Sequence, residues 1–514
     1  MRLTTFSFLA LLSLGAHAQP GTWDTSFGIN GKVLVPTLGT GADDQAVTGV
    51  VLPDGKILVA GQSLDDGQKK SVLLRFDPDG SPDLTFGTEG VVFHDLSAGD
   101  EMIRSSALDA QGRLVVGGHL ISEDLTNSDM FVARFLPDGS LDPSFNGTGL
   151  LIRDMHTTPD AEEAHEVLVQ PDGKIILCGF TGPSPELTEI VVERYLDNGG
   201  LDPTFGGDGS VLAFISNGSG EQVRGAVLGS NGDIYFCGYV IPSGETEQAV
   251  LLGRINSAGD SPSDFGNNNG HSYISVSGSN LIARTVALMP DGGLVVAGAQ
   301  RTPGASQARF IYTFDASGDE VANSFQDNDG ADAWNALLVQ NNGSIISGGN
   351  VGDGPDSRNW NVERTDAGLG FDPAFDAPDY EEDNGGETCL HLEFTSDSSI
   401  IGIGIAEVDF VVRIALLKYR NDITSGMSEQ KADAWVSAFP NPVMDRTMLT
   451  FAPGAPDVAG LSLMDAQGRV VRTWPAGVTK GTSRALDLSG VVPGMYGLRV
   501  DGGGRTTILK LVKH

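Results

Sequence analysis

Short apolar runs separated by glycine-containing turns recur along the chain. Residues 46–52 form one such run, the Pro-Asp-Gly turn at 53–55 follows, and residues 56–61 form a second run. This pattern predicts a β-hairpin, because a glycine in the turn takes the positive φ that a tight connection needs. Third and fourth strands are predicted at 72–76 and 91–93. Since no segment of this unit shows apolar residues at helical spacing, the pattern predicts four antiparallel strands without a helix.

A short phrase that ends in phenylalanine repeats seven times. Its phenylalanines are Phe27, Phe86, Phe145, Phe205, Phe265, Phe325 and Phe375, at intervals of 59, 59, 60, 60, 60 and 50 residues. Periods of this length are typical of propellers and solenoids. Four antiparallel strands in each period correspond to one propeller blade, so residues 19–420 are predicted to form a seven-bladed β-propeller.

The two ends of the repeat region predict that the blades close into a ring. A strand of the fourth type, residues 32–35, precedes the first hairpin, and the last period stops after its third strand at 415–419. Pairing these strands would hide both open edges, which favours a ring over a solenoid, the alternative architecture. Only 18 residues separate Phe325 from the next hairpin glycine, Gly343, so we expect the fifth blade to lack its outer strand.

The sequence motifs of the repeats resemble those of a known family. Leu-Asp-Pro-Ser-Phe at 141–145 follows Leu-Pro-Asp-Gly at 136–139, and Gln-Pro-Asp-Gly-Lys-Ile-Ile occupies 170–176. These motifs are similar to those of the delta-60 repeat family of bacterial β-propellers. The resemblance implies a propeller fold and an extracellular setting, and it carries no catalytic residues.

The N-terminus is typical of a secretory signal peptide. Met1-Arg2 is followed by an apolar stretch at 6–15 and by Ala16-His17-Ala18, which has the form that signal peptidase cuts. Residues 1–18 are therefore predicted to be removed, and the mature protein is expected outside the cell or on its surface. No later apolar run approaches 18 residues, so no transmembrane helix is expected.

Charge separates two regions of the chain and excludes one class of partner. The 32 Lys and Arg residues against 67 Asp and Glu residues give a formal charge of −35, which would repel nucleic acid. Residues 436–514 hold 9 basic and 5 acidic residues, a net +4, which leaves −39 on the rest. We therefore predict a linker at 421–435 and a separate C-terminal domain at 436–514, folded as a small Ig-like β-sandwich.

The C-terminal region resembles the type A sorting domain of the type IX secretion system of Bacteroidetes, with a generic carbohydrate-binding or fibronectin-like sandwich as the alternative. The matching residues are Pro440, Asn441, Pro442, Asp465, Gly468, Arg469, Pro493, Gly494, Tyr496, Lys510 and Lys513. The resemblance implies the type IX machinery as a partner. It also implies removal of the domain as the cargo is released or attached to surface lipopolysaccharide.

The loops that vary between repeats predict a binding face. They carry the acidic residues Asp43, Asp44, Asp65, Asp66, Asp100, Glu101, Glu162, Glu163, Glu381, Glu382 and Asp383. Variable loops on a fixed scaffold are where ligand contacts change without disturbing the fold. We expect a non-enzymatic, monomeric binding propeller that holds a glycan or protein here, with calcium as a candidate bridge. The alternative is a hydrolase or lyase with a metal in the central channel. It is disfavoured because the first strands offer mostly Ala, Val, Thr and Leu.

Arginines recur on the third strand of the repeat, at positions 75, 134, 194, 254 and 364. A ring of arginines could clamp an anion, but repetition in blade after blade favours a scaffold role in which each pairs with an Asp of a neighbouring turn. Cys178 and Cys237 occupy equivalent positions in adjacent repeats, which favours packing over a disulfide or a metal site.

Overall fold

The computed structural model contains strands and turns and divides into two compact units, Met1–Asp422 and Ile423–His514. The residues that it describes are 19–41, 43–155, 161–184, 187–213, 220–267, 270–328, 330–352, 358–382, 386–421, 436–439, 446–451, 458–464, 470–474, 483–491, 494–502 and 505–513. Within these ranges there is no helix long and apolar enough to cross a membrane.

The first unit consists of seven antiparallel sheets that follow one another along the chain. The first three are β2 (Asp44–Val51), β3 (Ile57–Asp65), β4 (Gln68–Phe76) and β5 (Val91–His94); β6 (Asp100–Leu108), β7 (Leu114–Ile121), β8 (Ser128–Phe135) and β9 (Leu150–Arg153); and β10 (Glu163–Val169), β11 (Ile175–Ser184), β12 (Leu187–Tyr195) and β13 (Ser210–Ala213). The fourth and fifth are β14 (Glu221–Leu228), β15 (Ile234–Val240), β16 (Ala249–Ile255) and β17 (His271–Ile274); and β18 (Asn280–Leu288), β19 (Leu294–Arg301), β20 (Gln307–Phe314) and β21 (Glu320–Gln326). The sixth is β22 (Ala333–Val339), β23 (Ile345–Val351) and β24 (Asn359–Thr365), and the seventh joins β25 (Thr388–Phe394), β26 (Ile400–Val408) and β27 (Val411–Tyr419) to β1 (Lys32–Leu34).

The predicted hairpins form as the turn residues dictate. Gly55 has a φ of 86°, which a residue with a Cβ rarely adopts. The Asp54 carboxylate accepts a hydrogen bond from the amide of Lys56 at 3.1 Å and so fixes the turn. The predictions of a strand-only fold and of a propeller are confirmed.

The ring closes as the sequence predicted, because the first strand pairs with the last. In this pairing Lys32 lies opposite Leu417 and Leu34 opposite Ala415. The amide of Val35 extends the ladder by donating to the carbonyl of Ile414 at 2.9 Å. The Lys32 ammonium also lies 4.7 Å from the ring centroids of both Trp23 and Tyr380, so cation–π attraction holds the closure.

The expectation of an incomplete fifth blade is wrong, and the shortened sheet is the sixth. In the fifth sheet the repeat phrase itself becomes the outer strand β21, where Phe325 pairs with Phe310. The missing residues therefore shorten a loop and leave the strand in place. In the sixth sheet, among the described residues, an isolated bridge between Trp360 and Tyr380 takes the place of a fourth strand.

A repeated contact joins each of the first three blades to the next. The buried Arg134 donates from Nε to Asp142 at 2.8 Å, and its guanidinium lies 5.0 Å from the ring of Phe145. Its Nη1 reaches the following blade and donates to the carbonyl of Asp197 at 2.7 Å. Arg75 and Arg194 make the same three kinds of contact, and Arg364 makes the first two. The predicted scaffold role of these arginines is what the contacts show.

The fourth blade departs from this contact because its repeat phrase begins with Pro262 in place of aspartate. Arg254 pairs with Asp233 on the neighbouring turn at 2.5 Å instead. The three cysteines are free and buried, as packing residues would be.

The second unit is a two-sheet sandwich, as predicted. One sheet holds β28 (Val436–Phe439), β29 (Arg446–Phe451) and β32 (Ser483–Asp487), and the other holds β30 (Val458–Met464), β31 (Val470–Trp474), β33 (Gly494–Gly502) and β34 (Arg505–Lys513). Leu449 and Leu486 of the first sheet share a core with Leu461, Leu463 and Leu498 of the second.

Replacing Phe86 by alanine is expected to lower the free energy of unfolding of the first unit by about 3–5 kcal/mol. Phe86 is 1% exposed and packs between Leu73 of its own blade and Ile103 of the next. Urea unfolding of the full chain measures the change. Leu84→Ala is the matched control, since Leu84 lies in the same turn at 74% exposure and should cost under about 0.5 kcal/mol. A loss below about 1 kcal/mol for Phe86→Ala would contradict the packing of Phe86 between the two blades.

Candidate functional site

The first strand of every sheet borders the centre of the ring and carries the same irregularity. These seven strands, β2, β6, β10, β14, β18, β22 and β25, each contact the next, and β25 contacts β2. In each of them one residue is left over in the pairing with the neighbouring strand. Such a β-bulge bends the strand and re-aims a side chain. The residues at the bulges are Val47, Arg104, His165, Arg224, Arg284, Asn335 and Leu390.

Five of the bulge residues are polar, and with Glu163 they form two groups of contacts on consecutive blades. Arg104 lies 3.9 Å from Glu163, and His165 Nε2 is 2.9 Å from the same carboxylate. Arg224 Nη1 is 3.1 Å from His165 Nε2.

The second group of contacts joins the next three blades. Arg284 Nη1 donates to Asn335 at 2.5 Å, and the Asn335 amide donates to the carbonyl of Cys389 at 2.9 Å. We call these six residues, Arg104, Glu163, His165, Arg224, Arg284 and Asn335, the channel arc.

Burial and neighbouring charge set the protonation of the arc. Burial, reinforced by the charge of Arg224, lowers the pKa of His165 to about 3, so this imidazole is neutral at pH 7. Burial alone would raise the pKa of Glu163, but the hydrogen bond with His165 and the positive charge of Arg104 hold it well below its usual range. Glu163 is therefore ionised.

The arginines of the arc are placed where a positive charge is disfavoured. Burial, then repulsion from Arg224 and Arg358, lowers the pKa of Arg284 to about 10. Burial also lowers the pKa of Arg104, and Glu163 only partly offsets it. Among the described residues, the buried Nε atoms of Arg104 and Arg224 find no hydrogen-bond partner. The arc therefore holds donors that the protein itself leaves unsatisfied.

A second polar group lies beside the bulges. Glu166 accepts a hydrogen bond from the Ser105 hydroxyl, and burial raises the pKa of Glu166 to about 7 against the opposing effects of Ser105 and His391. This carboxyl group is therefore poised to exchange a proton near neutral pH.

The sequence-based view of the first strands as mostly Ala, Val, Thr and Leu missed this arc. A signal was present, because Arg104, His165, Arg224 and Arg284 follow one another at 61, 59 and 60 residues, the period of the repeat. A charged residue recurring inside an otherwise apolar strand marks the bulge. The alternation of side chains along a single strand could not reveal the bulge, since a bulge interrupts that alternation.

Three residues of the expected acidic face do not present their carboxylates to solvent. Asp44, Glu101 and Glu162 are at most 1% exposed. Asp44 accepts from the amide of Leu38 at 2.8 Å, and Glu162 accepts from the amide of Met155 at 3.0 Å. Each fixes the connection that enters its blade, so their expected place on an exposed binding surface is corrected here.

The other acidic-face residues are scattered, and most have partners. Asp43 pairs with Lys69 at 3.0 Å, Asp65 with Lys70 at 3.1 Å and Glu382 with Lys32 at 3.5 Å. The rest lie as follows: Asp100 accepts from the Lys69 amide, Asp66 and Glu381 are exposed, Glu163 belongs to the channel arc, and Asp383 lies outside the described residues.

A metal site is not formed by the part of the chain that the structure describes, where no group of three or more His, Cys, Asp or Glu side chains is placed to hold an ion. Of the sorting-motif residues, Gly494 begins β33, Tyr496 lies in the core of the second unit, and Lys510 and Lys513 belong to β34. The others, Pro440, Asn441, Pro442, Asp465, Gly468, Arg469 and Pro493, lie outside the described residues.

Comparison with solved structures finds other proteins of similar size. A streptogramin B lyase is 10% identical with a TM-score of 0.40, covering 76% of this chain and 98% of its own. Sqt1 from Chaetomium thermophilum is 13% identical at 0.40, covering 74% and 97%. The α-L-arabinofuranosidase Arb93A from Fusarium graminearum is 11% identical at 0.38, covering 76% and 97%. No curated protein sequence matches this chain.

Family comparison identifies both units. Residues 52–86 and 111–145 match the domain of unknown function DUF5122 β-propeller, and residues 437–514 match the secretion system C-terminal sorting domain. The sorting domain indicates export through the type IX secretion system to the cell surface or medium. The chain therefore combines a β-propeller, two stretches of which match the DUF5122 β-propeller model, with a type IX C-terminal sorting domain.

Proposed function

We propose that this secreted propeller is a non-enzymatic, monomeric binding protein that holds its ligand in the central channel. The observation that carries the proposal is the channel arc, in which Arg104 and Arg224 each keep a buried Nε without a partner among the described residues. Leaving a buried donor unsatisfied costs roughly 1–3 kcal/mol, and more for a charged group. Because these Nε atoms are closed to solvent, a ligand would reach the Nη groups of the same half-buried side chains, and hydrogen bonds to them would offset part of that cost.

The acidic face of the variable loops has weaker support as the binding site. Its carboxylates are largely committed, either to backbone amides, as for Asp44, or to lysines, as for Asp43 and Asp65. A glycan or protein ligand at the acidic face would have to displace these partners. The channel arc offers donors that need no such displacement.

A second candidate function, an enzyme, is favoured by one observation. Glu166 has a pKa raised to about 7 and lies in the channel with Ser105, which suits a general acid or base at neutral pH. The mass of the released ligand distinguishes the two functions. A binding protein releases its ligand unchanged, whereas an enzyme acting through Glu166 would release a ligand of altered mass.

Native mass spectrometry tests the binding role. The full mature chain is incubated with the small-molecule fraction of bacterial culture medium, and we expect one added mass that is recovered unchanged. Val47→Trp should lower retention at least about tenfold, because Val47 is a bulge residue and a large ring there would fill the channel without removing a polar group. Val321→Trp is the control, since Val321 is 67% exposed on β21. Equal retention by Val47→Trp, or a ligand of altered mass, would contradict the proposal.

The titration of Glu166 should appear in the pH dependence of stability. A carboxyl group whose folded pKa is about 7, above the ordinary 4.5, keeps a proton that the unfolded chain releases, so stability falls as pH rises through that window. Glu166→Gln stays neutral at every pH. It should match the wild type near pH 4.5 and exceed it by up to about 3 kcal/mol at pH 8.

Urea unfolding at pH 5 and pH 8 measures this difference. Glu123→Gln, at an exposed loop position, is the control and should follow the wild type at both pH values. If Glu166→Gln also follows the wild type, Glu166 does not hold its proton in the folded protein.

A further inference from the structure

We infer that the channel arc is a binding site for an oxyanion, the carboxylate, phosphate or sulfate group of a small ligand. This inference rests on the proposed channel-binding function and specifies its chemistry. Two observations carry it: guanidinium donors without partners and uncompensated positive charge.

The donor count comes from the individual arginines. A guanidinium has five N–H groups. Arg284 makes one hydrogen bond from its side chain within the described part of the chain, to Asn335. Arg104 has only the 3.9 Å approach to Glu163, which is longer than a hydrogen bond. Most donors on these two side chains are therefore available to a ligand.

Arg224 is also incompletely satisfied, although its Nη2 donates to the side-chain oxygen of Gln222. Its Nη1 and Glu163 both lie against the same His165 nitrogen, at 3.1 and 2.9 Å. That nitrogen either carries a proton and donates to Glu163 or lacks one and accepts from Arg224, so it cannot serve both. The shorter contact assigns the proton to the Glu163 side. Arg224 Nη1 then faces an N–H group and needs another acceptor.

The charge of the arc is positive. Arg104, Arg224 and Arg284 contribute +3, Glu163 contributes −1 and neutral His165 adds nothing, which leaves +2. Arg224 repels both Arg104 and Arg284. An anion between them would replace this repulsion with charge-assisted hydrogen bonds, the strongest kind that a protein makes.

The identity of the side chains favours an oxyanion over other negative ligands. The planar fork of arginine matches two oxygens of a carboxylate, phosphate or sulfate, whereas a halide presents no pair of oxygens. The surrounding protein is strongly acidic, at −35 overall, which disfavours an anionic polymer and favours a small ligand that can enter the channel alone.

The test is isothermal titration of the full mature chain with sodium sulfate, sodium phosphate and sodium succinate, each against sodium chloride at equal ionic strength. At least one of these anions should bind more tightly than chloride, and the arm that binds best distinguishes the source of the oxyanion. Arg284→Gln and, separately, Arg104→Gln should weaken that binding at least about tenfold. Arg301→Gln is the matched control, because Arg301 is exposed on β19 of the same blade as Arg284.

Thermal melting separates a ligand-binding role from a structural one. Without anion, Arg284→Gln should melt at the same temperature as the wild type or higher, since the variant loses the repulsion with Arg224. With the anion, the melting temperature of the wild type and of Arg301→Gln should rise, and that of Arg284→Gln should not.

Two results would overturn the inference: no anion binds the wild type more tightly than chloride, or Arg301→Gln loses as much affinity as Arg284→Gln. If no anion binds but mass spectrometry still finds a ligand that Val47→Trp excludes, the channel function stands and only the oxyanion fails. If neither method finds a ligand, both fail.

Discussion

The proposed channel site depends on one extra residue in each innermost strand. In a regular strand at the centre of the ring, successive side chains would point alternately toward the two neighbouring sheets. No side chain would then be directed specifically at the central axis. The bulge adds a residue that is free of pairing in every blade, from Val47 to Leu390. The sheets can then keep apolar packing on both faces, while the bulges of five blades carry polar side chains.

Arginine has two separate uses in this fold. Arg134 is 1% exposed, but it pairs with Asp142, lies against Phe145 and donates to the next blade, so its charge is compensated. Arg284 and Arg104 are held by fewer partners, and burial lowers their pKa. Both side chains are half-buried, so solvent screens part of their charge, but few protein groups compensate the rest. The scaffold arginines stabilise contacts between blades, whereas the channel arginines lower stability in a way that a bound anion would reverse.

Much of the architecture could be predicted from the sequence, because the repeat carries its own turn chemistry. The Pro-Asp-Gly hairpins, the strand that closes the ring and the pairing of Arg134 with Asp142 all follow from residues that recur at equivalent positions. The position of the shortened blade was predicted wrongly, because a deletion can remove a loop as readily as a strand. Phe325 pairs with Phe310 in the outer strand of the fifth sheet, so there the deletion shortened a loop.

The site was harder to predict, for two physical reasons. A bulge is invisible to strand alternation, so Arg224 and Arg284 could not be assigned to the channel from their spacing within one strand. Burial of a carboxylate by backbone amides is equally hidden, and Asp44 and Glu162 therefore looked like surface residues. Comparison of the same position across all repeats carries the information that a single strand lacks.

The most direct measurement of the central claim is anomalous diffraction from crystals of the mature protein soaked in sodium selenate. Selenate is an oxyanion with the shape of sulfate, and its selenium atom scatters anomalously. The account predicts a peak within the channel, beside the guanidinium groups of Arg224 and Arg284. Peaks confined to lysines on the outer surface, with none beside these two arginines, would contradict it.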